Sequence, residues 1–133
     1  MGAWGIGTFE NDTACDFAAE VAEESGLVVL EQALDRVLAS TNYLEARDAE
    51  EGLAAADIVA RLNGSPGDRD AYTATIDTWV ERSKTTPSEA LIEKARRSVT
   101  RILTAPSALL ELWQDSGDFG AWKGSVEEVS RRL

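Results

Sequence analysis

Histidine is absent from the chain, and cysteine occurs once, as Cys15. The first absence excludes Ser-His-Asp and Cys-His nucleophilic machinery, the usual zinc sites, and the Glu-x-x-His pattern of di-iron helical bundles. The second excludes an internal disulfide and makes a cytoplasmic setting the expectation. No Ser-x-x-Lys pair occurs. No apolar run approaches the ~20 residues needed to cross a bilayer. The first residues lack the basic and apolar regions of a signal peptide. Ile6 stands where a myristoylation signal after Met1-Gly2 wants Ser or Thr.

Positive charge is scarce at the front. Residues 1–60 hold thirteen acids and two bases, whereas residues 61–133 hold eleven of each, so the whole net charge of −11 resides in the first part. Nucleic acid and anionic membrane are disfavoured as partners, because phosphate affinity comes from Lys and Arg. A basic protein, a cation, or solubility alone are the readings left. The apolar fraction of 44% in 133 residues is ordinary for one globular domain with a core of its own.

Helical periodicity recurs along the chain, and strand alternation does not. Asn11 or Asp12 suits an N-cap. Ala14, Phe17, Ala18, Val21 and Ala22 follow at helical spacing, and Ser25-Gly26 closes the helix with Gly26 as its C-cap. Asp12, Asp16, Glu20 and Glu23 fall opposite that apolar stripe, as a carboxylate row. A second helix is predicted from about Leu27 to Ala39. A third, from about Leu44 to Leu62, carries alanines on one side and Ile58 and Leu62 on the other, which marks a central helix. Asn63 to Asp68 breaks the chain. A fourth helix spans roughly Asp70 to Ser83, marked by Tyr72, Ile76, Trp79 and Val80.

Thr86-Pro87-Ser88-Glu89 reads as a capping box, with Thr86 as N-cap, opening a fifth helix. Leu91, Ala95, Val99 and Ile102 point inward on that helix, with Lys94, Arg97 and Arg101 as a basic stripe opposite. A short helix with Leu109, Leu110, Leu112 and Trp113 follows Pro106. Trp122, Val126, Val129 and Leu133 recur to the end. The expected fold is all-α: one domain over residues 1–133, a compact bundle of six or seven short helices. An ordered Gly/Trp-rich arm, residues 1–10, packs against it. Trp4, Phe9, Phe17, Trp113 and Trp122 are its expected structural anchors, with a ligand-stacking platform as the alternative role for Trp4 and Phe9.

Gly2-Ala3-Trp4-Gly5, Gly7, Phe9, Asn11-Asp12, Ala14, Asp16 and Phe17 resemble the start of a bacterial family known as domain of unknown function 4259. The Leu109–Trp113 segment with Glu111, then Phe119 and Trp122, is similar to that family's C-terminal signature. Ala54-Ala55-Ala56-Asp57 is similar as well, although the family tends to carry glutamate where this chain has Asp57. The resemblance implies a small cytoplasmic bacterial protein and brings no activity with it.

Carboxylates are the plentiful functional groups. Asp12, Asp16 and Glu20 form a solvated face, a partner-binding stripe, or a hard-cation site; a lone helix rarely encircles an ion. Glu50 and Asp57, at i and i+7 on the central helix, are expected to be partly buried. They serve there as an ion pair with Arg96 or Arg101, or as a ligand or acid/base site, unless both are exposed. Gly5-Ile6-Gly7 lacks the preceding strand of a phosphate loop, so its glycines are read as letting backbone pass close to a helix. Cys15 reads as an inert thiol. No catalytic residue, metal or cofactor is expected.

The leading reading is a non-enzymatic module that binds a basic protein through its acidic front half, with an immunity- or antitoxin-like role by analogy. Two others stay open: a carboxylate-based ligand binder or enzyme using Glu50 and Asp57, and salt-dependent self-association of the basic stripe with the acidic row.

Overall fold

The computed structural model describes residues 3–24 and 26–133. Seven helices follow in order: α1 Asp12–Glu23, α2 Gly26–Ala39, α3 Ala46–Leu62, α4 Ala74–Ser83, α5 Glu89–Ile102, α6 Ala108–Gln114 and α7 Phe119–Arg132. Among the described residues, β pairing is limited to two isolated bridges, Ala3 with Asn11 and Leu44 with Ser107. The fold is all-α.

α3 is the axis. Every residue from Gly52 to Arg61 is buried, and all six other helices pack on it. Its composition makes this possible. Ala49, Ala54, Ala55, Ala56 and Ala60 are fully buried and keep the helix thin enough for neighbours on every side. At Gly52 the approach is closest: a Cβ there would lie 2.3 Å from Val37 Cγ2 on α2. The buried apolar residues of the seven helices form one continuous core. At one end Trp113 of α6 stacks on Trp122 of α7, with centroids 5.8 Å apart and planes 8° from parallel.

Several boundaries differ from the expectation. Gly26 does not cap α1. It opens α2, where a Cβ would come 2.1 Å from the Trp79 indole, so the glycine makes room for that ring. α1 closes at Glu24, whose N–H donates to the Glu20 carbonyl; Ser25, like Met1 and Gly2, lies outside the described residues. The N-cap of α5 is Ser88, not Thr86. The Ser88 hydroxyl accepts from Leu91 N at 3.1 Å, and Pro87 precedes the cap instead of following it. α4 starts at Ala74 because residues 70–73 form a turn held by the Asp70 carboxylate, which accepts from the Tyr72 and Thr73 amides. On α6, Leu112 is exposed beside the buried Leu109, Leu110 and Trp113.

One substitution should act with opposite signs at two glycines. Gly52→Ala meets Val37 and should destabilise by roughly 1–3 kcal/mol through overpacking. Gly124→Ala, inside α7 where a Cβ meets nothing within 4 Å, should stabilise by up to about 1 kcal/mol through helix propensity. Urea unfolding of the two variants checks both.

Candidate functional site

Residues 3–11 turn back on themselves. The Trp4 amide donates to the Glu10 carbonyl at 2.9 Å, and the Glu10 amide donates to the Gly7 carbonyl at 3.1 Å. The Glu10 side chain folds into the concave side of the turn, where its Oε1 accepts from Gly7 N at 3.0 Å. A Cβ at Gly5 or Gly7 would lie 2.5 or 2.6 Å from that carboxylate. The glycines therefore make room for an anion, and the anion is the chain's own Glu10. Asn11 ends the turn and starts α1, its Oδ1 accepting from Ala14 N at 2.8 Å.

Beneath this loop lies a buried ionic network. The Arg61 side chain, 3% exposed, donates from Nε to Asp57 Oδ1 at 2.8 Å and from Nη1 to Asp77 Oδ1 at 2.7 Å. Its Nη2 donates to the Asp68 carbonyl at 2.8 Å. The guanidinium also lies over the Phe9 ring, 5.6 Å from its centroid. Arg132 reaches in from the end of α7, donating to Asp57 Oδ2 at 2.8 Å, Glu128 Oε2 at 2.6 Å and the Ser65 carbonyl at 3.0 Å. Burial by itself lowers the Arg132 pKa, but the hydrogen bond and charge of Asp57, with help from Glu128, outweigh it and leave the pKa raised. Thr73 completes the set, donating to Asp77 Oδ2 at 2.8 Å.

Asp57 thus has both oxygens occupied by guanidinium groups, from Arg61 and Arg132. Its expected partners are elsewhere. Arg96 donates to the Leu133 carbonyl and pairs with Glu93. Arg101 donates to the carbonyls of Ser40, Thr104 and Pro106. Arg61, at i+4 from Asp57, was within reach of helix-spacing rules; Arg132, seventy-five residues away, had no local signal.

Glu50 and Asp57 line two different cavities, which share Gly7 and Thr8 of the N-terminal loop. Asp57 borders a polar cavity of about 100 Å³ walled by the N-terminal loop, the 63–73 loop and α7. Glu50 borders a separate void of about 10 Å³ among Ile6, Leu53, Leu109, Trp113 and Trp122, which is room for about one water. Burial pushes the Glu50 carboxyl up, and the Thr13 hydroxyl pulls it part of the way back.

The α1 row differs in kind. Asp12, Asp16, Glu20 and Glu23 are all exposed, and none has an ion-pair partner among the described residues. The α5 stripe is largely engaged: Lys94 Nζ lies 2.8 Å from Asp35 and 3.5 Å from Glu31, and Arg101 is bound to carbonyls. Cys15, on the same helix as the row, donates to the Phe9 carbonyl at 3.2 Å. Burial raises its thiol pKa, with Asp12, Asp16 and Asp70 adding to the rise, the reverse of what a reactive thiolate needs. Among the described residues, no group of His, Cys, Asp and Glu is arranged to hold a metal ion.

Phe9, Phe17, Trp113 and Trp122 are buried, but Trp4 is not. The expectation that Trp4 anchors the core is corrected: it is 46% exposed and rests against Tyr72, centroids 5.3 Å apart at 49°. From the same loop Phe9 enters the core and Ala3 and Ile6 pack against it, while the indole lies outside. Tyr72, read as part of a helical stripe, lies in the turn before α4 and is 47% exposed. Nothing in the apolar periodicity marked either ring as a surface group.

Two outcomes follow from the buried Asp57 and the half-buried Glu50. Asp57→Ala leaves two guanidinium groups short of a counter-charge and should cost about 3–5 kcal/mol in urea unfolding. Glu50 has a folded-state pKa raised above its unfolded value, so its contribution is greatest at low pH and is lost as pH rises through the folded pKa. Glu50→Gln should therefore match the parent near pH 4 and be the more stable of the two at pH 7, as read by unfolding midpoints.

No helix among the described residues is long and apolar enough to cross a membrane. No curated protein and no solved structure matches the chain. The family described as domain of unknown function DUF4259 matches residues 2–125, with the glycine turn, α1, the Asp57–Arg61 pair and the tryptophan stack all inside the match, and the chain belongs to that family.

Proposed function

We propose that the protein is a non-enzymatic interaction module, a small acidic bacterial protein of the cytoplasm, whose α1 face receives a basic protein partner. The observation that carries this reading is the contrast between its two sets of carboxylates. Asp57 and Asp77 are consumed by Arg61 and Arg132, and Glu31, Asp35 and Glu51 by surface ion pairs. Asp12, Asp16, Glu20 and Glu23 are exposed along one helix with no such partner among the described residues. A row of like charge costs some self-repulsion on a helix; a basic partner relieves it and gains in association rate. An immunity- or antitoxin-like role is the biological setting this suits, by analogy.

The alternatives have less support. A carboxylate enzyme or ligand site built on Glu50 and Asp57 needs the two acids in one cleft, and they border separate cavities. Self-association through Lys94, Arg97 and Arg101 has a reduced supply of available cations, since Lys94 is paired and Arg101 is bound to three carbonyls.

The test is affinity capture from source-cell extract with the parent chain and with the triple variant Asp12→Asn, Asp16→Asn, Glu20→Gln. Exposed substitutions of this kind cost little stability, within about 0.5 kcal/mol each. A basic protein held by the parent at about 0.1 M salt should be released at about 1 M, where the screening length is ~3 Å, and should not be held by the triple variant. Equal capture by both chains at both salt concentrations would overturn the reading.

A further inference from the structure

Resting on that reading of α1, we infer that the exposed Trp4–Tyr72 pair is the anchor of the contact surface, and that it takes an arginine side chain of the basic partner. The two rings come from different segments, the N-terminal loop and the turn before α4. Each is nearly half exposed, and they meet at 5.3 Å and 49°. A pair so placed leaves part of each π-system open to solvent, and an aromatic pair in solvent beside acids suits a flat cation.

The pair adjoins the acidic row. The Ala3–Asn11 bridge sets Trp4 next to the start of α1, and the Trp4 amide is tied to the Glu10 carbonyl at 2.9 Å. On the Tyr72 side, the Asp70 carboxylate accepts from the Tyr72 amide at 2.8 Å. Asp70 lines one cavity with Phe9 and Glu10, the residues that lead into α1, so its turn lies against the start of the helix that carries Asp12 and Asp16. The patch therefore combines two aromatic faces with three acids at one end of the row, and Glu20 continues it about 12 Å along the helix from Asp12.

Charge complementarity selects a cation, and the ring pair selects among cations. A guanidinium is planar, weakly hydrated and able to stack on an aromatic face while donating to a neighbouring carboxylate; an ammonium is a strongly hydrated point charge. Trp, Tyr and Arg are also the residues that dominate interface energetics. The occupant is thus a basic segment carrying arginine, seated with one guanidinium on Trp4–Tyr72 and its other cations along Asp12, Asp16 and Glu20.

The experiment titrates the full chain with labelled oligo-arginine and oligo-lysine peptides of equal length and reads anisotropy. It uses the parent, Trp4→Ala, Tyr72→Ala and the triple acid variant, each checked for helicity by circular dichroism. Trp4→Ala and Tyr72→Ala should keep their helicity, weaken oligo-arginine binding roughly 3- to 10-fold, and weaken oligo-lysine binding less. Two ring variants that bind oligo-arginine as the parent does, while the triple acid variant loses binding, would overturn the inference and leave the α1 reading standing. A parent chain that binds neither peptide would overturn both. An equal loss for the two peptides would overturn the choice of arginine and assign the pair to cations in general.

Discussion

A charged guanidinium in the interior sets the terms for the rest of the molecule. Arg61 sits on the one helix that every other helix touches, and its side chain is 3% exposed. A charge so buried must be paired and hydrogen-bonded or it unfolds the region around it. The chain supplies Asp57 one turn back, Asp77 from α4, and the Asp68 carbonyl from the connecting loop. Asp57 in turn is shared with Arg132, which ties the end of α7 to the centre of α3. One charge thereby sets where α4, α7 and the 63–73 loop can go. Most residues of that loop are exposed, and the carbonyls of Ser65 and Asp68 are held by the two arginines.

The same guanidinium reaches the opening turn through the Phe9 ring. With Phe9 held beneath and Glu10 folded over Gly5 and Gly7, the turn has its apolar side filled and its concave side closed. Trp4 is left outside, on Tyr72. The exposed indole is thus a consequence of how the loop is packed. Interior and surface divide the carboxylates in the same way: those that meet arginines inside build the fold, and those of α1 face outward with the aromatic pair at their end.

The helices were legible in the sequence because their stripes are regular and their breaks carry Gly, Pro and Asx residues. α3 announced itself as central by being apolar on two sides. Boundaries were less legible where a residue had two plausible jobs. Gly26 looks like a cap in sequence and is a cavity for Trp79 in space. Pro87 fits N1 by preference and in the fold precedes Ser88, the residue whose hydroxyl reaches an amide. The buried carboxylate was legible as Asp57, but its long-range partner was not, since nothing local distinguishes Arg132 from Arg96 or Arg101. Aromatic residues carried the most misleading signal. Phe9 and Trp4 are equally apolar in a pattern, yet in the fold Phe9 goes in and Trp4 stays out.

The proposed division between carboxylates that build the fold and carboxylates that receive a partner is tested most directly by amide hydrogen exchange on the full chain, free and saturated with an oligo-arginine peptide. Slower exchange in residues 4–20 and 70–72, with residues 57–68 and 125–132 unchanged, is the expected result. Slowing confined to residues 57–68 and 125–132, with the α1 face unaffected, would contradict it and move recognition to the polar cavity around Asp57.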